Sequence, residues 1–73
     1  MPLPTWITQR VLADAVIATA NARQTATELH AQGRDHFTDP TWRKALAEVH
    51  RTGDKAEEIG IDPQTIGDAS KAR

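Results

Sequence analysis

The side chains in this sequence that could hold a metal ion or move a proton are three histidines, His30, His36 and His50, set among ten carboxylates. His30 and His36 straddle a segment containing Gly33, with Asp35 beside the second. Such a grouping offers two or three ligands of the kind that suit a divalent transition metal. His50 and Asp54 stand four apart, but Gly53 lies between them and predicts a helix end, so the two are not expected to share a face. Structural zinc takes four ligands, and these groups offer fewer. The expectation is therefore surface or loop histidines, with no metal and no other cofactor. Catalysis has no more to work with. There is no cysteine to serve as a nucleophile or thiolate ligand. No glycine-rich phosphate loop, nucleophile elbow, metalloprotease helix or usefully spaced carboxylate pair is present. A chain of 73 residues is also barely large enough to enclose a pocket that excludes water. It is expected to act by binding another macromolecule and not as an enzyme.

Residues 54–69, Asp-Lys-Ala-Glu-Glu-Ile-Gly-Ile-Asp-Pro-Gln-Thr-Ile-Gly-Asp-Ala, put a small residue, Ala56, four before Gly60. Ile59 and Ile61 flank that glycine, and Ile66 lies six beyond it. The pattern resembles the core of bacterial helix-turn-helix proteins, over about a fifth of the chain. That resemblance implies two helices crossing closely at Ala56, with the second entering the major groove and its first turn contacting base edges. It implies Asp62, Gln64 and Thr65 as base- or phosphate-contacting positions, with Lys71 and Arg73 near the DNA backbone. Glutamine can pair bidentately with adenine. The same pattern also has a packing reading, two short helices joined by a glycine turn that cap a longer helical pair.

The elements that must position these residues are all helical. Pro4-Thr5 is a stop-and-cap signal, with the Thr5 hydroxyl placed to accept from a free N–H of the first turn. No proline or glycine follows until Gly33, a natural C-terminal stop, so the first helix is expected over residues 5–32. Along it Ile7, Val11, Ala15, Ala18, Ala22, Ala26 and Leu29 recur at helical spacing, with Leu12, Val16 and Ile17 widening the stripe in the first half. Seven alanines in positions 13–31 make the face shallow and let another helix approach closely. A second helix is expected over 39–52, capped by Thr38 or Asp39 with Pro40 in its first turn, and turning Trp42, Ala45, Leu46 and Val49 inward. Phe37 and Trp42 sit where a hydrophobic staple would pack if Thr38 is the cap. Asp54 to Glu57 has the spacing of a capping box and predicts a short helix over 54–59, stopped by Gly60. Asp62-Pro63 predicts another over 63–70. No strand signal, repeat or low-complexity tract is visible. The fold class is all-α, a single small domain: a long N-terminal helix paired antiparallel with a second, and two short C-terminal helices folded over one end.

A helix of 27 or so residues is about 40 Å long at ~1.5 Å per residue, against a radius of gyration of ~11 Å for a compact domain of this length. The first helix is therefore expected either to break near Asn21 or to have part of its stripe covered by another chain. A core this small rarely supplies more than ~3–5 kcal/mol, and without cysteine the usual supplement is a partner. The expected contact surface is Trp6, Ile7, Val11, Ala15, Ala18 and Ala22, because that end holds the largest apolar residues and tryptophan is enriched in binding hot spots. The competing reading packs this end on Ile59, Ile61 and Ile66.

Nine basic and ten acidic residues give a net charge of −1, which exerts no general pull toward nucleic acid or an anionic membrane. The acid excess lies in residues 54–73, with five acids against three bases. The N-terminus lacks the basic start and apolar run of a signal peptide, and no apolar run is long enough to span a bilayer, so a cytoplasmic, non-membrane protein is expected. The functional expectation is a protein–protein interaction module, a small regulatory, inhibitory or accessory subunit working as a homodimer or hetero-complex. The alternative is a dimeric DNA-binding regulator that reads a half-site with residues 54–72.

Overall fold

The computed structural model describes residues 3–71. Three helices occupy it, α1 (Thr5–Ala31), α2 (Pro40–Glu58) and α3 (Pro63–Lys71), and the described residues contain no strand. α1 and α2 lie antiparallel, so that Thr52 and Lys55 of α2 face Trp6 to Asp14 of α1. α3 then runs along α1 in the same direction as α1, with Ile66 against Ala15 and Val16 and the Ser70 hydroxyl accepting from Arg23 at 3.1 Å. The molecule is elongated, 49 × 22 × 16 Å, with a radius of gyration of 13.5 Å.

α1 does not break at Asn21. It runs unbroken for 27 residues, and Asn21 is an exposed residue within it. Its start is near Thr5 as expected, but Pro4 holds the cap position, and no side chain closes the first turn. Thr5 is already helical, which takes its hydroxyl out of the capping role. At the other end Gly33 adopts φ +73°. There the Arg34 N–H reaches the Leu29 carbonyl and the Gly33 N–H reaches that of His30, both at 2.9 Å, the paired bonds of a Schellman stop.

α2 is longer than its sequence signals indicate. The expected helices over 39–52 and 54–59 are one element of 19 residues, so the chain has one short C-terminal helix instead of two. Gly53 is inside the helix and the Asp54–Glu57 capping box is not used. Glycine in a helix interior costs about 1 kcal/mol relative to alanine. Here the residues around it offset that cost, since Thr52 is buried and Ala56 is 0% exposed. The Thr52 hydroxyl donates to the Glu48 carbonyl at 2.7 Å, which lets a polar group sit in the interface. Asp39 is the N-cap, accepting from the Thr41 and Trp42 N–H groups. Thr38 is not the cap, yet Phe37 and Trp42 still meet edge to face, with ring centroids 5.7 Å apart.

The core is small-residue packing between three helices. Ala15, Val16, Ala56 and Ile66 are its buried centre, flanked by Val11, Leu12, Ile61 and Ala69. Alanine on α1 against alanine on α2 brings the two backbones together, leaving room for Ile66 of α3 to close the third side. Ala22, Leu29 and Ala45 extend the buried seam toward the α1–α2 loop. Among the described residues no helix is long and apolar enough to cross a membrane.

Candidate functional site

A surface depression of about 230 Å³ lies where the first turns of α1 meet the last turns of α2. α1 contributes Trp6, Ile7, Arg10, Val11 and Asp14, and α2 contributes Arg51, Thr52 and Lys55. Trp6 is 64% exposed, so it does not pack on the C-terminal isoleucines. Those isoleucines pack instead with the next turns of the same end: Ile66 lies in the core with Val16, and Ile61, Val11 and Leu12 flank it. Ile7 and Val11 are half-buried and form the apolar floor. Three cations and one carboxylate surround that floor, in a chain whose overall charge is −1. Arg51 is steered by Glu48, with its Nη2 donating to Oε2 at 2.8 Å and its Nε sharing both carboxylate oxygens. That hydrogen bond, and next the opposite charge, holds the Glu48 carboxyl below its ordinary value and raises the Arg51 guanidinium. The Asp14 charge also raises Arg51.

The apolar stripe read from the sequence divides between interior and surface. Ala15 is 1% exposed and Ala22 is also buried, so both are covered by α2 and α3 within the chain. The unbroken α1 thus has the middle of its stripe covered within the chain, while Ile7, Val11 and Ala26 stay half-buried. Ala18 is half-buried, in a shallow depression beside Ile17 and Asn21. Trp6 stands in the open and Ile7 and Val11 border the cleft, which leaves these three as the accessible part of the expected surface. Ile17 is exposed, an apolar residue set off the main stripe and not part of the expected contact set.

At the α2–α3 junction Gly60 has φ +91°, and a second Schellman pair joins Ile61 to Ala56 and Gly60 to Glu57. Ala56 and Ile66 are buried and Ile59 and Ile61 half-buried, as any two helices joined by a tight turn require. Asp62, Gln64, Thr65 and Lys71 are all exposed, while Arg73 lies outside the described residues. The Asp62 carboxylate accepts from the Gln64 N–H at 2.9 Å. It therefore puts a negative charge at the start of α3, where a helix N-terminus would otherwise favour a phosphate. Glu57, Glu58 and Asp68 are also exposed nearby.

The loop end of the hairpin gathers aromatic and imidazole rings. His30 Nε2 and His36 Nδ1 are 2.7 Å apart. The His36 ring lies against Phe37 and, edge-on, against Trp42, at 4.1 and 4.6 Å between centroids. Asp35 spends one oxygen on the Phe37 N–H. His50 and Asp54 share the continuous α2, contrary to the expected helix end at Gly53; both are exposed. Among the described residues no three metal-ligating side chains come together.

No protein-family model matches this chain, and neither a curated protein nor a solved structure does, so the geometry of these three surfaces is the ground for a functional reading.

Proposed function

We propose that the protein is a non-catalytic interaction module that engages a protein partner through the Trp6 end of α1 and the cleft between α1 and α2. The observation that carries this reading is Trp6, exposed at the rim of a cleft whose floor is Ile7 and Val11 and whose rim holds Arg10, Arg51 and Lys55. An exposed tryptophan beside a side-chain-sized apolar depression is the composition of a binding hot spot, in which a few anchors supply most of the energy. Burial there contributes ~25 cal/mol per Å² before ordering costs. One cation remains beyond those offset by Asp14 and by Glu48, which pairs with Arg51, and it favours an acidic partner group by steering the encounter and fixing its register.

The DNA-binding alternative is less well supported, because the exposed face at 57–68 is acidic and binding in that mode draws on phosphate neutralisation. A photo-crosslinking residue placed at Trp6, with the same residue at Lys44 as control, tests the reading. Cross-links to one protein species from position 6 alone, competed by wild type and not by Trp6→Ala, are the expected result. Equal cross-linking from both positions would overturn it. Salt-sensitive co-migration with mixed-sequence duplex, weakened by Gln64→Ala and Lys71→Ala, would replace it with the DNA reading.

A further inference from the structure

We propose that His30 and His36 form a two-imidazole site for a late first-row divalent metal ion, Ni²⁺ or Cu²⁺, at the loop end of the hairpin. Neither the cleft nor the α2–α3 junction uses these residues. The sequence separates them by six positions and a reversing turn, and the structure brings His30 Nε2 to 2.7 Å from His36 Nδ1. Two imidazole nitrogens that share one hydrogen can share a metal ion after a small opening. With metal–nitrogen bonds of ~2.0–2.1 Å, two ligands at a right angle stand ~2.9 Å apart and two tetrahedral ligands ~3.3 Å. The rings need to part by only a few tenths of an ångström, and re-aim, for the first arrangement. It is the one tetragonal Cu²⁺ or octahedral Ni²⁺ adopts, and imidazole is the donor these metals prefer.

Each ring is held from behind. His30 is in the last turn of α1, where the free carbonyl ends of the helix favour a cation. The Schellman stop at Gly33 fixes how the chain leaves that turn. His36 is backed by the edge of Trp42 and by Phe37, and Trp42 is anchored in turn by the Asp39 cap. Proton bookkeeping closes without a co-reactant. When both rings are neutral, the ring that donates the shared hydrogen moves it to its other nitrogen, and both facing nitrogens then present lone pairs. Water completes the coordination, since no third side chain is grouped with the pair. Hard ions such as Mg²⁺, which seek oxygen ligands, have no place here.

Trp42 is a built-in reporter, because a paramagnetic ion held by His36 sits beside its ring, while Trp6 is at the opposite end of the hairpin. The experiment uses untagged protein carrying Trp6→Phe, so that all tryptophan emission comes from Trp42. Titration with Ni²⁺ or Cu²⁺ is expected to quench it saturably. The midpoint should rise at least tenfold in His30→Ala and in His36→Phe, which keeps the ring packing on Trp42. His50→Ala should leave it unchanged, and Mg²⁺ should have no effect. Unaltered quenching in His30→Ala, loss of quenching in His50→Ala, or no saturable change at millimolar Ni²⁺ would each overturn the proposal.

Discussion

Arg34 and Asp39 meet at 2.8 Å across the α1–α2 loop, and the same Asp39 carboxylate caps α2 by accepting from the Thr41 N–H at 2.8 Å and the Trp42 N–H at 3.3 Å. Asp39 is buried and Arg34 mostly exposed, so the cap contributes more than the ion pair, which water screens on one side. Replacing Asp39 with alanine removes both, and a loss of about 1–2 kcal/mol is expected. Asp39→Asn keeps an N-capping oxygen and should cost only a few tenths. Thr38→Ala should be near neutral, because Thr38 is not the cap. Urea denaturation of the three variants checks the order. A larger loss from Thr38 than from Asp39 would contradict the capping assignment.

Gly53 and Gly60 should respond to alanine with opposite signs. Gly53 lies within α2 at ordinary helical φ, and a Cβ there would meet nothing within 4 Å. Gly53→Ala is expected to stabilise by about 0.5–1 kcal/mol, through helix propensity and a less flexible unfolded chain. Gly60 also has open space around it, but its φ of +91° is one that L side chains rarely adopt. Gly60→Ala is expected to destabilise by about 1 kcal/mol or more. Thermal melts of both variants test this. Were Gly53→Ala destabilising, α2 would have to end at Thr52 in solution.

A pH-dependent contribution follows from Glu48 and Arg51. The Glu48 carboxyl is held below its ordinary 4.5 by the Arg51 hydrogen bond and then by its charge. A carboxyl whose value is lowered on folding stabilises the folded state above its unfolded value, and that contribution is lost as pH falls through the lowered folded value. Arg51 is raised, so its share would be lost only at strongly alkaline pH. Both groups are solvent-exposed, so the effect is small and screened by salt. Glu48→Gln should melt slightly below wild type at neutral pH, and the gap should close as pH falls below 4.5. A gap that persists through acid would mean that Glu48 stabilises by something other than its charge.

Much of the fold was readable from local signals, because helix ends are set by groups within a turn of each other. Pro4-Thr5, Gly33, Asp39-Pro40, Gly60 and Asp62-Pro63 each mark a boundary in the structure. Each does so for a reason inside a few residues: a missing N–H, a capping oxygen, or a left-handed φ. Gly53 carried the same kind of signal and was misleading. Its local cost of about 1 kcal/mol is offset by contacts of Thr52 and Ala56 with a helix some 40 positions earlier, and no local window contains those partners.

The candidate site was legible only in part for the same reason. Trp6, Ile7 and Val11 stood out as the large apolar end of α1, but which side they faced depended on where Ile61 and Ile66 would pack. The cleft joins Trp6 and Arg10 to Arg51 and Lys55, residues about 45 positions apart that no spacing rule connects. His30 and His36 are neighbours across a turn in the sequence, and only the turn geometry brings them to within a hydrogen bond of each other.

By itself the sequence determined an all-helical chain without thiols, the ends of α1, the starts of α2 and α3, and an alanine-rich face on α1. These follow from periodicity and from groups that act within one turn. Only the tertiary structure decided that α2 runs through Gly53, that Ala15 and Ala22 of the α1 stripe are covered within the chain, and that Trp6 is left outside. Those outcomes depend on burial shared between distant segments: Ala15 and Ala56 pack closely enough to admit Ile66, and burying that contact costs less when Gly53 stays helical than when the helix ends early.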